Sequence, residues 1–234
     1  MLHISILTLF PEMFVSPFAQ SIIKRAIETK KVTLEYSNIR DFSADTYKSV
    51  DDHPYGGGHG MILRVDIIDR ALIHCKKKYP SLTTHSILLD PQGSQYTQNI
   101  AKKLTTWEHL ILLCGHYEGI DERVRDLVDE EISIGDYVLT GGEIPAMAIV
   151  DSVVRLLPQT LKRSEATIDE SFTLNLLEYP QYTRPETYKN QQVPEVLLSG
   201  NHKNIAQWQK EKAHERTAAR RPDLLGKELL LRRK

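Results

Sequence analysis

His109-Leu-Ile-Leu-Leu-Cys114 is a short, nearly continuous apolar run, and Gly115-His-Tyr-Glu-Gly119 follows it directly. An apolar run of this length without alternation marks a strand buried on both faces, as in a parallel sheet. Ser86–Asp90 repeats the pattern and leads into Pro91-Gln-Gly93. Working outward, His3–Leu9 reads as a strand, Gln20–Lys30 as a helix, and Val32–Ile39 alternates as a strand. Val65–Tyr79 repeats Ile67, Ile68, Ala71, Leu72 and Cys75 at helical spacing. Thr140-Gly-Gly-Glu143 resembles a capping box opening a helix over Ile144–Leu157. The order β-α-β-α-β predicts an α/β fold, a mostly parallel sheet with helices on both faces.

The chain has 234 residues, 41% hydrophobic and 26% charged. That length can bury roughly 70% of the chain's surface, and the composition excludes wholesale disorder. Two cysteines, Cys75 and Cys114, exclude a disulfide framework. No cysteine cluster or His-x-x-x-His pair suggests a structural zinc site. No apolar run approaches ~20 residues, so no membrane span is expected. The stretch Met1–Phe14 has no basic n-region and reads as a strand rather than a signal peptide. A cytoplasmic protein is expected.

Net charge is −1, but it is divided unevenly. Residues 201–234 carry ten Lys/Arg against four Asp/Glu, whereas residues 1–200 carry twenty against twenty-seven. Residues 117–143 alone hold nine acids against Arg123 and Arg125. A basic tail points to a polyanionic partner, although a solvated helix face has the same composition. After Pro158 the character changes. Residues 159–171 have almost no large apolar side chains and read as an exposed linker, the proline-bearing segment 179–194 reads as irregular, and Asn201–Arg220 reads as a helix docked by Ile205 and Trp208. Arg221-Pro222 ends it. The expected organisation is therefore an α/β domain over 1–158, a linker over 159–171, and a small helical domain over 172–234.

Three glycine-bearing turns leave predicted core strands: Asp90–Gly93, Gly115–Gly119 and Ile134–Gly142. In open α/β sheets a ligand sits beyond the carboxyl ends of the strands, and glycines there let backbone approach it. Any one of these could be a plain tight turn; three at one sheet edge indicate a site. The phosphate loop GxxxxGK[ST] and the dinucleotide signature GxGxxG are absent. Tyr55-Gly-Gly-Gly-His-Gly60 looks like a phosphate cradle but contains no Lys, Ser or Thr. Backbone-rich turns with Tyr117 and Tyr137 suit a neutral adenosine moiety better than a triphosphate.

Several runs now match a family. They are Leu9-Phe-Pro-Glu-Met-Phe14, Val50-Asp-Asp-His-Pro-Tyr-Gly-Gly-Gly58, Tyr117-Glu-Gly-Ile-Asp-Glu-Arg-Val124, Ser133-Ile-Gly-Asp-Tyr-Val-Leu-Thr-Gly-Gly-Glu143, Tyr182-Thr-Arg-Pro185 and Arg220-Arg-Pro-Asp-Leu-Leu225. In this order, across nearly the whole chain, they resemble the bacterial tRNA (guanine-37-N1)-methyltransferases, the TrmD family of the SPOUT superfamily. The resemblance implies a deep trefoil knot, S-adenosylmethionine as methyl donor, and a homodimer with its active sites at the interface. It implies methylation of N1 of the guanosine at tRNA position 37, and a C-terminal domain that grips the anticodon arm.

The resemblance also implies residue roles. Gly115 and the run Ser133, Ile134, Gly135, Asp136, Tyr137, Val138 and Leu139 would contact the cofactor, chiefly by backbone. Leu89, Pro91, Gln92, Tyr117, Glu118, Gly119, Gly141, Gly142 and Pro145 would complete the pocket. Guanine N1 carries a proton and is a poor nucleophile, so a carboxylate base and a cation facing O6 suit the reaction. The family's cation corresponds to Arg155, which would otherwise complement the helix dipole. Its base is an Asp, where this chain places Glu170, with Asp169 immediately before it; both assignments stand. Two further departures are Asp90, where the family often has Ser, and His116, where Arg is common. Asp51, Gly58, His116, Lys203, Lys212, Arg216 and Arg220 are the expected RNA contacts, with Lys210 nearby. The resemblance leaves room for Mg2+, though no ligand cluster marks a site for it.

Overall fold

The computed structural model describes residues 1–161 and 170–226. The chain divides into two compact units, Met1–Lys162 and Arg163–Lys234. The first unit contains β1 (Leu2–Thr8), α1 (Val15–Phe18), α2 (Ser21–Glu28), β2 (Val32–Asn38), β3 (Asp51–Asp52), β4 (Ile62–Leu63), α3 (Val65–Lys78), β5 (Thr84–Gln95), α4 (Gln98–Leu104), β6 (His109–Cys114), β7 (Glu130–Ser133) and α5 (Glu143–Val154).

Five strands form one sheet in the order β2-β1-β6-β5-β7, every pair parallel. All six residues of β6 are buried, which is why its sequence does not alternate. Alternate residues serve opposite faces. Leu110, Leu112 and Cys114 pack with Ile23 of α2 and Ile149, Val150 and Val153 of α5. Ile111 and Leu113 pack with Ile67, Ile68, Ala71 and Leu72 of α3. Helices thus cover both faces, as the sequence order predicts.

Four details depart from expectation. First, Asp90-Pro-Gln-Gly93 is a bulge inside β5, because Leu89 and Ser94 both pair with Ile132. Second, α4 and β7 are additional elements. Third, Thr140 caps nothing: Gly142 is the N-cap of α5, without a side-chain cap bond. The Glu143 carboxylate turns inward and accepts a hydrogen bond from Thr8 Oγ1 at 2.7 Å. Fourth, Thr160, within the stretch expected to be an exposed linker, is buried. Gln159 Oε1 accepts from Lys31 Nζ at 2.6 Å and the Thr160 carbonyl from Arg25 Nη2 at 2.6 Å.

The second unit contains β8 (Thr187–Tyr188), β9 (Gln191–Gln192), α6 (Glu195–Leu198) and α7 (His202–Arg220). Asn201 caps α7 by accepting from the Asn204 N–H at 3.2 Å. The buried residues of α7 are Ala213 and Thr217; Ile205 and Trp208 are only half-buried. Thr217 Oγ1 accepts from the Leu177 N–H at 2.8 Å and ties residues 170–178 to the helix.

At the amino edge of the sheet, His109 is fully buried, with Nε2 2.9 Å from Ser5 Oγ and Nδ1 3.1 Å from Thr84 Oγ1. Burial foremost, and then the neighbouring His3, push its pKa down to about 4. An unfolded chain titrates this group near ~6.5. Between those values the unfolded chain binds a proton that the fold does not. Stability from this group is therefore complete above pH ~6.5 and falls as pH drops toward 4. At ~1.4 kcal/mol per pH unit the loss is about 3 kcal/mol. Denaturant titrations of the wild type should show that fall, and His109→Gln should remove most of the pH dependence. A wild-type stability equal at pH 7 and pH 4.5 contradicts this account.

Candidate functional site

A cavity of about 370 Å³ opens at the β5 bulge and beyond the carboxyl ends of β6 and β7, a size suited to a small ligand. Its walls are the β5 bulge (Pro91, Gln92), the turn Gly115–Ile120, the run Ser133–Gly142, and Pro145 at the start of α5. These are backbone-rich turns, and their shape is set locally. The Ser133 hydroxyl accepts from the Gly135 N–H at 3.2 Å and donates to the Gly135 carbonyl at 3.0 Å. Gly135 has φ +155° with the Tyr137 ring where its Cβ would lie, so glycine is required there. Gly142 N–H donates to the Gly115 carbonyl at 2.8 Å, and no Cβ fits between Gly142 and Cys114. The last turn of the cavity wall is thereby fixed to the first.

The glycine run docks on the same wall. Glu118 N–H donates to the Met61 carbonyl at 3.1 Å, and Leu63 N–H to the Gly119 carbonyl at 3.0 Å. Arg40 Nη2 donates to the Tyr117 hydroxyl at 3.1 Å. Tyr137 and Val138 are exposed at the rim, Val138 by 85%.

Charged residues lining the cavity are Asp90, Glu118, Glu122 and Arg125, three carboxylates and one guanidinium. The surroundings therefore favour a cationic ligand over a polyphosphate. Cys114 lies under the wall, and burial, then the Glu143 charge, raise its thiol pKa well above the ordinary range. Cys75, on α3, is pushed up to about 11 by burial. Neither supplies a thiolate nucleophile at neutral pH.

Of the residues expected at a cofactor, all but Asp136 line this cavity: Leu89, Pro91, Gln92, Gly115, Tyr117, Glu118, Gly119, Ser133, Ile134, Gly135, Tyr137, Val138, Leu139, Gly141, Gly142 and Pro145. Ile62, Ile120, Glu122, Arg125, Ile132 and Thr140 line it too. Glu122 lies in the family run Tyr117–Val124, whereas the stretch 117–143 was the only sequence signal for Arg125.

His116, expected at RNA, also lines the cavity, its ring edge-on to Phe10 at 5.0 Å. Its Nδ1 is buried without a hydrogen-bond partner among the described residues. Asp51 pairs with Leu63 in a two-stranded ribbon, and Gly58 sits in the adjoining turn at φ +153°. Asp52 Oδ1 accepts from the His53 N–H at 2.8 Å, a turn-stabilising contact. Arg155 is the C-cap of α5.

In the second unit Lys203, Lys210 and Arg220 are exposed. Lys212 Nζ pairs with Glu215 at 2.6 Å, and Arg216 Nη1 donates to the Glu178 carbonyl at 3.2 Å. Of the basic residues expected at RNA on α7, Lys212 and Arg216 are thus committed to intramolecular bonds. Glu170 is half-buried, and its carbonyl accepts from the Thr173 N–H at 3.2 Å. Asp169 lies outside the described residues. Among the described residues no group of three or more His, Cys, Asp or Glu could hold a metal ion. No helix among them is long and apolar enough to cross a membrane.

Residues 2–227 match the family model described as tRNA (Guanine-1)-methyltransferase TrmD. The chain is 53% identical over 224 residues to the tRNA (guanine-N(1)-)-methyltransferase of Syntrophomonas wolfei, covering 96% of this chain and 90% of that protein. The enzyme of the same name from Dictyoglomus turgidum is 50% identical, with 97% and 91% covered. That from Lactiplantibacillus plantarum is also 50% identical, with 96% and 91% covered.

Proposed function

The chain belongs to the tRNA (guanine-1)-methyltransferase TrmD family, and on that premise we propose that it moves a methyl group from S-adenosylmethionine to N1 of the guanosine at tRNA position 37. The family makes it an enzyme that acts on tRNA. What supports the donor assignment is the cavity, backbone-lined and carrying three carboxylates to one guanidinium at the carboxyl edge of the sheet. That environment suits a neutral adenosine and a positively charged sulfonium and suits phosphate poorly. When bound, S-adenosylmethionine supplies an electrophilic methyl group whose leaving group is a neutral thioether.

The chain's residues would then act as follows. The turns Gly115–Gly119 and Ile134–Leu139 orient the donor by backbone and exclude water from it. Arg155 donates to guanine O6, where charge grows as the methyl group moves. Glu170 or Asp169 accepts the N1 proton. The N1–CH3 bond forms, the sulfur–CH3 bond breaks, and the proton ends on the carboxylate. Glu170 has one more methylene of reach than the family's Asp.

A domain over 1–158, a linker over 159–171 and a tRNA-binding domain over 172–234 fit this reading, with Lys203, Lys210 and Arg220 available to anticodon-arm phosphates. The deep trefoil knot that the resemblance implies belongs to the same reading. A homodimer fits it too: Tyr137 and Val138 at the cavity rim, and Phe10, Met13, Val15 and Ile144 elsewhere on the first unit, are apolar side chains left exposed.

Incubation with labelled S-adenosylmethionine and unmodified tRNA, followed by nucleoside digestion, tests the reaction. Label in 1-methylguanosine is expected. Label in a 2′-O-methylated nucleoside would make it a ribose methyltransferase instead. Bound donor and tRNA without any transfer would make it a binding protein.

A further inference from the structure

Asp90 stands where the family often has Ser, and the structure places a cation against it. Asp90 Oδ1 accepts from the Gln92 N–H at 2.8 Å. That bond folds the bulge, so that Pro91 and Gln92 face the cavity. Asp90 Oδ2 lies 3.8 Å from Arg125 Nη2. Arg125 reaches it from the turn Glu122–Leu127, where its Nε pairs with Glu122 at 2.9 Å and its Nη1 pairs with Glu131 of β7. Only 17% of the Arg125 side chain and 13% of the Asp90 side chain are exposed, so solvent screens this pair less than a surface one. The far end of the bulge is fixed independently, because a Cβ at Gly93 would lie 2.5 Å from the Ile132 nitrogen. Without Arg125, the carboxylates of Asp90, Glu122 and Glu131 would lose the cation they share.

We propose that Arg125 is a positioning residue for the methyl-donor pocket, neutralising Asp90 and so holding the bulge Asp90–Gly93 in the shape it presents to the ligand. The inference rests on the assignment of this cavity to S-adenosylmethionine. Arg125 acts through Asp90, so its importance depends on the carboxylate being there. An Asp90→Ser chain lacks the charge that needs neutralising, and Arg125 then becomes dispensable for donor binding.

The test is calorimetric titration with S-adenosylmethionine, with kcat and KM for the donor, on five full-length chains: wild type, Arg125→Ala, Arg125→Lys, Asp90→Ser, and the double variant. Arg125→Ala should raise the donor Kd and KM about tenfold with kcat within about twofold, a coupling typical of a directly contacting charged pair. Arg125→Lys should recover most of the affinity. The double variant should bind within about threefold of Asp90→Ser alone. Wild-type affinity in Arg125→Ala overturns the proposal. So does a double variant as weak as Arg125→Ala, which would make Arg125 a direct ligand or a brace between Glu122 and Glu131. A wild type that binds no donor overturns the cavity assignment and this proposal together. If Arg125→Ala does not fold, the double variant decides: a folded chain with Asp90→Ser affinity supports the proposal, and an unfolded one overturns it.

Discussion

Glu170→Gln is expected to slow methyl transfer in a single turnover by about 100-fold or more, the range for losing a general base. The affinity for tRNA should not weaken. The amide keeps the shape of the carboxylate, and removing one negative charge near a polyanion does not oppose binding. The loss should therefore appear in the chemical step and not in KM for tRNA. Guanine N1 cannot attack while it keeps its proton, and an amide cannot take that proton. Asp169→Asn, one residue earlier, is the paired measurement. A near-normal rate in Glu170→Gln with a large loss in Asp169→Asn would move the base to Asp169. Near-normal rates in both would contradict a carboxylate base from this segment.

Gly142→Ala is expected to destabilise the chain and abolish donor binding together. A Cβ there would lie 2.6 Å from the Cys114 Cα and 2.9 Å from the Gly115 nitrogen, both backbone atoms of the central strand and its turn. Neither can rotate away, so α5 or the turn must shift, and overpacking of this kind costs about 3 kcal/mol. In a chain of this length Tm should fall by about 10 °C. Gly115→Ala makes the contrast. Its Cβ would meet only the Leu89 carbonyl oxygen, at an ordinary 3.4 Å. That variant should melt like the wild type yet bind the donor at least tenfold more weakly, because the methyl group projects where the ligand's backbone contacts form. A Gly115→Ala chain with unchanged donor affinity would contradict the placement of the donor at this turn.

The central strands and α3 were legible because burial dictated their spacing. β6 is buried at every residue, and α3 presents one apolar stripe, so each carries its pattern in its own sequence. β7 was not legible, because two of its four residues are Glu130 and Glu131. Their carboxylates are taken up by His85 and Lys103 in one case and by Arg125 in the other, partners a local reading does not see. The β5 bulge read as a terminal turn because Asp-Pro-Gln-Gly ends the apolar run, while the pairing that resumes at Ser94 depends on β7. Thr140–Glu143 has the letters of a capping box, but the Glu143 side chain has a better partner in Thr8, far away in the chain. The cavity lining was legible almost residue by residue through the family motifs. Arg125 was not, because its role depends on Asp90, thirty-five positions earlier.

The most direct test of the central claim uses two tRNA transcripts identical except at position 37, one with guanosine and one with adenosine there. Each is incubated with purified protein and labelled S-adenosylmethionine, digested to nucleosides and resolved by mass spectrometry. The account predicts 1-methylguanosine from the first transcript and no product from the second. Equal methylation of both, or label in any nucleoside other than 1-methylguanosine, would contradict it.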